Sequence, residues 1–334
     1  MNSLTLHSFR FITEVVTQLE LDEHSGSALR GSFFEAIWQR FCTNKSAPTC
    51  AACPLHSTCP VSTIVAPLRE ENTRGQDIPR PYILLPPLDG KRRYEQGDTL
   101  SFGLTLVGNI IQLLPYIMLS IDMLEEGGLG RRVQDQHGLR GRFIVKRVES
   151  CNLFSHAQQT LYEAGKPLVG TPTLAMTEME VHERAATLST ERVTLHFLTP
   201  LRLRDRDRLI KRAEFGPLVH RLLERFDALD TTYGTGNSPF MQQRQQLVER
   251  AEQVRCIEDA THWEEVGSYS RRQQRITPIS GLRGHATFSG DLTPFRELLT
   301  WGEVMHVGKS CVKGNGWYRI GDDKNENGQE TQNS

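Results

Sequence analysis

Hydrophobic and polar positions alternate roughly along "SLTLHSFRFI", residues 3–12, which predicts an opening strand. The pattern then changes period. In "SGSALRGSFFEAIWQRF", 25–41, Leu29, Phe33, Ile37 and Phe41 recur every fourth residue. Phe34 and Trp38 widen that stripe, so this stretch reads as a core-facing helix. "PYILLPPL" and "DTLSFGLTLVG" read as strands. Residues 109–130 read as a helix that stops at a glycine pair and must kink or begin near Pro115. "RFIVKRVES" is the next strand.

A second cycle opens with a strand over 192–204. The helix after it carries Phe215, Leu218, Val219, Leu222, Leu223, Phe226 and Leu229 in alternating steps of three and four. A third helix is predicted over 240–254, with strands near 263–269 and 283–289 and a short helix over 294–300. Two closing strands are expected to flank a glycine-rich loop, "HVGKSCVKGNG", at 306–316. The two halves repeat one order of elements, so the fold class is α+β in two related domains, with the boundary near 185–191. The division adopted is 1–187 and 188–320, with a cysteine-rich insert at 42–60 and a disordered tail at 321–334.

Length and composition add bounds. A chain of 334 residues with 38% hydrophobic content can bury two cores. It has no apolar run of about 18 residues, the length of a membrane span. The start "MNSLTLHSFRF" is too polar for a signal peptide, so the expected compartment is the cytoplasm. Net charge is −1, which alone argues against a polyanion partner. Its distribution argues otherwise. Arg192–Arg225 holds nine basic residues against four acids, and Ser268–Gly290 holds Arg271, Arg272, Arg275 and Arg283 with no acid. Such clusters are the footprint of a phosphate backbone, although a solvated face has the same composition.

Four of the seven cysteines fall in the pattern C-x7-C-x2-C-x5-C: Cys42, Cys50, Cys53 and Cys59. Thiolates so close repel one another and oxidise easily unless a shared metal holds them. Disulfides are not expected in a cytosolic chain. Structural zinc and a four-iron–four-sulfur cluster both accept this donor set. The "C-x2-C-P-L" end resembles the cluster loop of endonuclease III and adenine glycosylases, but the chain lacks the all-helical character of those enzymes. Cys151, Cys256 and Cys311 are isolated and read as small packing residues.

An ordered set of motifs carries a family likeness. "ALRGSFFEAI" and "CAACPLHSTC" come first, then "GLTLVG" and "VTLHFLTPLRLR". Trp263 and "YSRRQ" follow, and the chain closes with "GLRGHATFSGDLTPFRELLTWGEVMHVGKSCVKGNGWYRI". Over about residues 4–320 this resembles the RAMP-superfamily endoribonucleases that process CRISPR precursor RNA, in the branch with a cysteine-bearing insert. The resemblance implies two tandem ferredoxin-like (RNA-recognition-like) domains. It implies cleavage of CRISPR repeat RNA without a catalytic metal: the 2′-hydroxyl attacks the adjacent phosphate and leaves a 2′,3′-cyclic phosphate. Any metal at the cysteines would be structural. CRISPR repeat RNA, the crRNA product and subunits of an effector complex are the expected partners, and a membrane is not. A non-catalytic RNA-binding RAMP subunit is the rival reading.

In-line attack needs a base, an acid and cations for the crowded phosphorane, and histidine suits the first two roles. His24, just before the first long helix, His56, in the cysteine loop, and His306, at the head of the glycine loop, are the candidates. Expected RNA contacts are Lys309, Lys313, Arg271, Arg272 and Arg283, with Gly308, Gly314 and Gly316 allowing close approach. Lys313 stands where members of the resembling family commonly carry an aromatic residue. Arg30 reads as structural. Arg131 and Arg132 suit either phosphate contact or pairing at a helix end.

Overall fold

In a computed structural model, residues 4–67, 78–166, 169–270 and 275–321 are described. The chain divides into two compact units. The first comprises Met1–Glu178 with Asp227–Ser238 and Val312–Gly314. The second comprises Met179–Phe226, Pro239–Cys311 and Asn315–Ser334.

In the first unit the order is β1 (Leu6–Val15), α1 (Gly26–Phe41), α2 (Pro60–Val65), β2 (Tyr82–Leu85), β3 (Thr99–Val107), α3 (Leu114–Met118), α4 (Ile121–Gly127), β4 (Phe143–Cys151) and β5 (Gln158–Glu163). The sheet order is β2-β3-β1-β4-β5, antiparallel throughout. Without the added edge strand β5 this is the ferredoxin-like βαββαβ arrangement, in which the first strand lies centrally. Phe11 pairs with Phe102 across β1 and β3 and stacks on it at 5.1 Å between ring centroids. Two buried hydroxyls of β1 find partners on β3. The Ser8 and Thr105 hydroxyls lie 2.6 Å apart, and Thr13 Oγ1 donates to the Leu100 carbonyl. Helix α1 turns Leu29, Phe33, Ala36 and Ile37 inward, and its Ser32 hydroxyl donates to the Gly128 carbonyl just past α4.

The second unit repeats the pattern. It contains nearly all of α5 (Glu178–Ala186), then β6 (Arg192–Leu201), the start of α6 (Phe215–Tyr233), α7 (Arg244–Ala251), β7 (Arg255–Glu264), β8 (Gly281–Ser289), α8 (Arg296–Met305) and β9 (Tyr318–Gly321). The sheet order β7-β8-β6-β9 is the same permutation, again antiparallel. Its core gathers Phe215 with Phe288 and Phe295, and Phe226 with Phe240 and Trp301. Among the described residues no helix is long and apolar enough to cross a membrane.

Several expectations are corrected. The predicted helix over 109–130 is a 3₁₀ segment, Gly108–Leu113, followed by α3 and α4, and Pro115 lies in the first turn of α3 as its missing N–H allows. The third helix is shorter than 240–254. The strand expected near 263–269 begins at Arg255; its first six residues are all exposed, so no apolar alternation marks them. The loop is not flanked by two strands, because α8 continues to Met305 and buries Val304 and Met305. Cys151 and Cys311 are buried as expected, but Cys256 is exposed. The expected tail lies outside the described residues after Gly321.

Tyr318 fastens β9 to α8 by donating its buried hydroxyl to the Leu299 carbonyl at 2.7 Å. A Cβ on Gly302 would lie 2.0 Å from that hydroxyl oxygen. Gly302→Ala is therefore expected to lower unfolding free energy by about 1–3 kcal/mol in urea titration, through overpacking and displacement of the Tyr318 bond.

Candidate functional site

The glycine loop is braced by its own chain. His306 ends α8 with φ +57°, and its N–H reaches the Gly302 carbonyl. Its ring is fully buried and stacks on Trp317 at 5.5 Å. His306 thus sits inside the second unit and closed from solvent, where a packing role suits it better than contact with a polynucleotide. Past it, the Lys309 N–H donates to the Arg202 carbonyl, which lies 2.5 Å from where Gly308 would carry a Cβ. At Gly316, φ is +68° and the Val307 carbonyl oxygen lies 1.8 Å from the Cβ position, so only glycine fits. Close approach at Gly308 and Gly316 is to protein backbone. The Lys309 side chain is exposed.

The segment Val312–Gly314 belongs with the first unit, and there it meets the start of α1. The Lys313 carbonyl oxygen lies 1.7 Å from the Cβ position of Gly26, the first residue of α1. Gly314, at φ +84°, sits against the Leu84 carbonyl and the Pro86 ring, where β2 ends. This wedge carries the Lys313 side chain to Arg30 of α1 and to Arg80, just before β2. All three are half-buried. Burial lowers the Lys313 pKa, and the charges of Arg30 and Arg80 lower it further. The same two guanidiniums act on the fully buried Tyr82 phenol, where they oppose the rise that burial causes. Arg80 also donates to the Val65 carbonyl at 3.2 Å, which fixes its stem. His24 is half-buried and stands two residues ahead of Gly26 in the chain. A crowd of positive charge at a helix start, with the backbone held by glycines, is a seat for an anion.

His56 lies elsewhere in the first unit, half-buried in the turn between Cys53 and Cys59, with its N–H donated to the Cys53 carbonyl. The four cysteines are free thiols, each half-exposed. Burial raises the Cys50 thiol pKa, and the charges of Cys59, Cys42 and Cys53 raise it further. The insert therefore brings all four thiols together electrostatically.

The arginines divide. Arg271 and Arg272 lie outside the described residues. Arg283, from a stretch with no acid of its own, pairs with Glu264 at 3.4 Å across β7 and β8. In the Arg192–Arg225 stretch, Arg208 binds Glu214 through two bonds of 2.6 and 2.7 Å, and Arg221 pairs with Glu224. Arg202 and Lys211 both lie over the Trp263 ring. Much of that basic composition is thus matched locally. Arg131 pairs with Asp22, and Arg132 reaches the Gly138 carbonyl at 3.4 Å.

Arg80 escaped the sequence reading, and Arg30 entered it only as a structural residue. Nothing in the sequence singles out these two among the arginines that flank the insert, and spacing alone cannot connect them to a loop more than two hundred residues later.

The depressed Lys313 pKa has a consequence for stability. The charged lysine is disfavoured in the fold, so its penalty is fully present below the depressed pKa and fades as pH rises to the ordinary lysine range. Lys313→Met is expected to raise the urea midpoint at neutral pH, by an amount that shrinks as the buffer becomes more alkaline.

Comparison with known proteins gives a consistent picture. Residues 4–174 match a family model described as an N-terminal domain (AF_1859_N). Residues 195–318 match the model described as CRISPR-associated endoribonuclease Cas6. Among curated protein sequences none matches the chain. Among solved structures, a Cas6 product complex aligns with TM-score 0.55 at 16% identity, covering 95% of this chain and 99% of that one. A Thermus thermophilus Cas6 gives 0.54 at 16%, covering 95% and 98%. A partial Cas6-RT-Cas1–Cas2 complex gives 0.56 at 13%, where 95% of this chain covers 46% of the larger one.

Proposed function

We propose that this chain, whose residues 195–318 match the model of the CRISPR-associated Cas6 endoribonucleases, is an endoribonuclease of that kind and cuts the repeat of a CRISPR precursor transcript by metal-independent acid–base catalysis. The observation that carries this reading is the gathering of Arg30, Arg80 and Lys313 beside the start of α1, two residues past which His24 lies in the opposite chain direction. A scissile phosphate seated among the three cations relieves their mutual repulsion. It also offers them the extra negative charge that builds up in the phosphorane, where fixed cations act most strongly. His24 takes the proton of the attacking 2′-hydroxyl. A second proton donor serves the leaving 5′-oxygen, and the products are a 2′,3′-cyclic phosphate and a 5′-hydroxyl. Lys309 and the wider basic surface hold the flanking backbone, so that the product stays bound and can be handed to an effector complex.

Incubation with CRISPR-repeat RNA in excess EDTA tests this. Site-specific cleavage with a cyclic-phosphate end is expected. Tight binding with no cleavage would instead assign the chain to non-catalytic RNA holding. His24→Ala is expected to slow single-turnover cleavage about 10²–10⁴-fold with RNA affinity kept, and an unchanged rate would remove His24 from the mechanism.

Lys313→Met is expected to weaken RNA binding and to reduce the slope of log affinity against log salt by about 0.7, the loss of one single-strand phosphate contact. In the wild-type protein, the contribution of Lys313 to binding should be lost at a pH below the ordinary lysine range of about 10.4, because the charge it needs is already disfavoured.

A further inference from the structure

The cysteine insert supplies none of the groups that the cleavage mechanism above assigns a role, and its backbone geometry is specific. Each of the four cysteines stands at the end of a short element with its backbone pinned. Cys42 caps α1 and donates its N–H to the Trp38 carbonyl at 2.9 Å. Cys50 opens a 3₁₀ turn, Cys50–Ala52, which the Thr49 hydroxyl caps by accepting from the Ala52 N–H. Cys53 closes that turn through its N–H to the Cys50 carbonyl at 3.2 Å, and its own carbonyl accepts from His56. Cys59 precedes Pro60 at the start of α2, and its carbonyl accepts from both the N–H and the hydroxyl of Thr63. Sulfur positions in such a frame follow from helix and turn ends, not from a slack loop.

Two further observations concern the sulfurs. Cys50 lies within electrostatic reach of the other three. Yet no three of these described sulfurs fall within 4.8 Å of one another. A single tetrahedral zinc with bonds of about 2.3 Å requires sulfurs about 3.8 Å apart on every edge. A cubane cluster spreads its thiolates over four separate irons and holds them wider. The Asn44 side-chain amide points at Cys53 Sγ from 3.6 Å, an N–H···S contact of the kind that steadies a thiolate ligand and tunes a cluster.

We propose that Cys42, Cys50, Cys53 and Cys59 hold a four-iron–four-sulfur cluster that ties the end of α1 to the start of α2. Its role is structural. The cluster replaces the core that a segment this short and polar does not form, and it relieves the repulsion of four neighbouring thiolates. No electron transfer is required of it.

The test is metal and sulfide analysis of the full-length chain, purified under strict anaerobiosis and separately reconstituted with ferrous iron and sulfide in the presence of competing zinc. About four irons and four acid-labile sulfides per chain are expected, with a broad visible absorbance that bleaches on dithionite reduction. The double variant Cys50→Ser/Cys53→Ser should lose iron and colour, while Cys256→Ser, which alters an exposed cysteine outside the insert, should keep both. One zinc per chain with no iron after reconstitution overturns the proposal, and so does a chain that binds neither metal. These readouts come from the wild-type protein as well as the variants, so a variant that fails to fold leaves the result decisive. RNA cleavage is not among them, so failure here and failure of the endoribonuclease reading are separate outcomes.

Discussion

The contact between the Lys313 carbonyl and Gly26 decides how the first unit's chemistry is assembled. Gly26 opens α1, and any side chain there would collide with the backbone of a turn that lies far along the sequence. Because that space is kept clear, Val312–Gly314 seats against the helix start and the end of β2. The lysine it carries then meets Arg30 and Arg80 at half-buried positions. The contact is costly to isolated folding, since it gathers like charges where water is partly excluded. An anion seated there would offset that cost.

The rest of the loop has the opposite character. Gly308 and Gly316 let the chain pass within reach of Arg202 and Val307, and His306 is buried on Trp317. The loop's glycines are therefore spent on bracing a rigid turn that projects Lys309 and delivers Lys313, not on wrapping a ligand. Rigidity of this kind favours positioning, because lysines on a fixed backbone lose less freedom when a phosphate arrives.

Charge matching separates surface composition from function. The stretch from Arg192 to Arg225 looks like a polyanion footprint by count. In the fold, Arg208 and Arg221 are paired with glutamates, and Arg202 and Lys211 lie over Trp263. Exposed pairs of this sort add little stability, yet each reduces the field available to a distant phosphate. At the start of α1, beyond the effect of burial, the charges of Arg30 and Arg80 reach a half-buried lysine and lower its pKa.

Local pattern determined much of the architecture. The strand at 3–12, the helix at 25–41 and the stripe from Phe215 to Leu229 all reappear, because a half-buried strand or helix must display its period in sequence. The doubled order of elements was legible for the same reason, and so was the four-cysteine spacing, whose donors are local to one insert. Exposed elements were not legible. β7 is exposed along its first six residues, and β5 is a mostly polar edge strand, so neither buries enough to leave a period. The end of α8 was misread as a strand because its last residues, Val304 and Met305, are apolar on successive positions. The site was legible only in parts. Of the residues proposed for the cleavage chemistry, His24, Lys313 and the glycines carried signals of type and spacing, while the company of Arg30 and Arg80 did not. Which charges face one another is set by contacts between segments far apart in the chain, and those exist only once the backbone at Gly26 and Gly314 has closed.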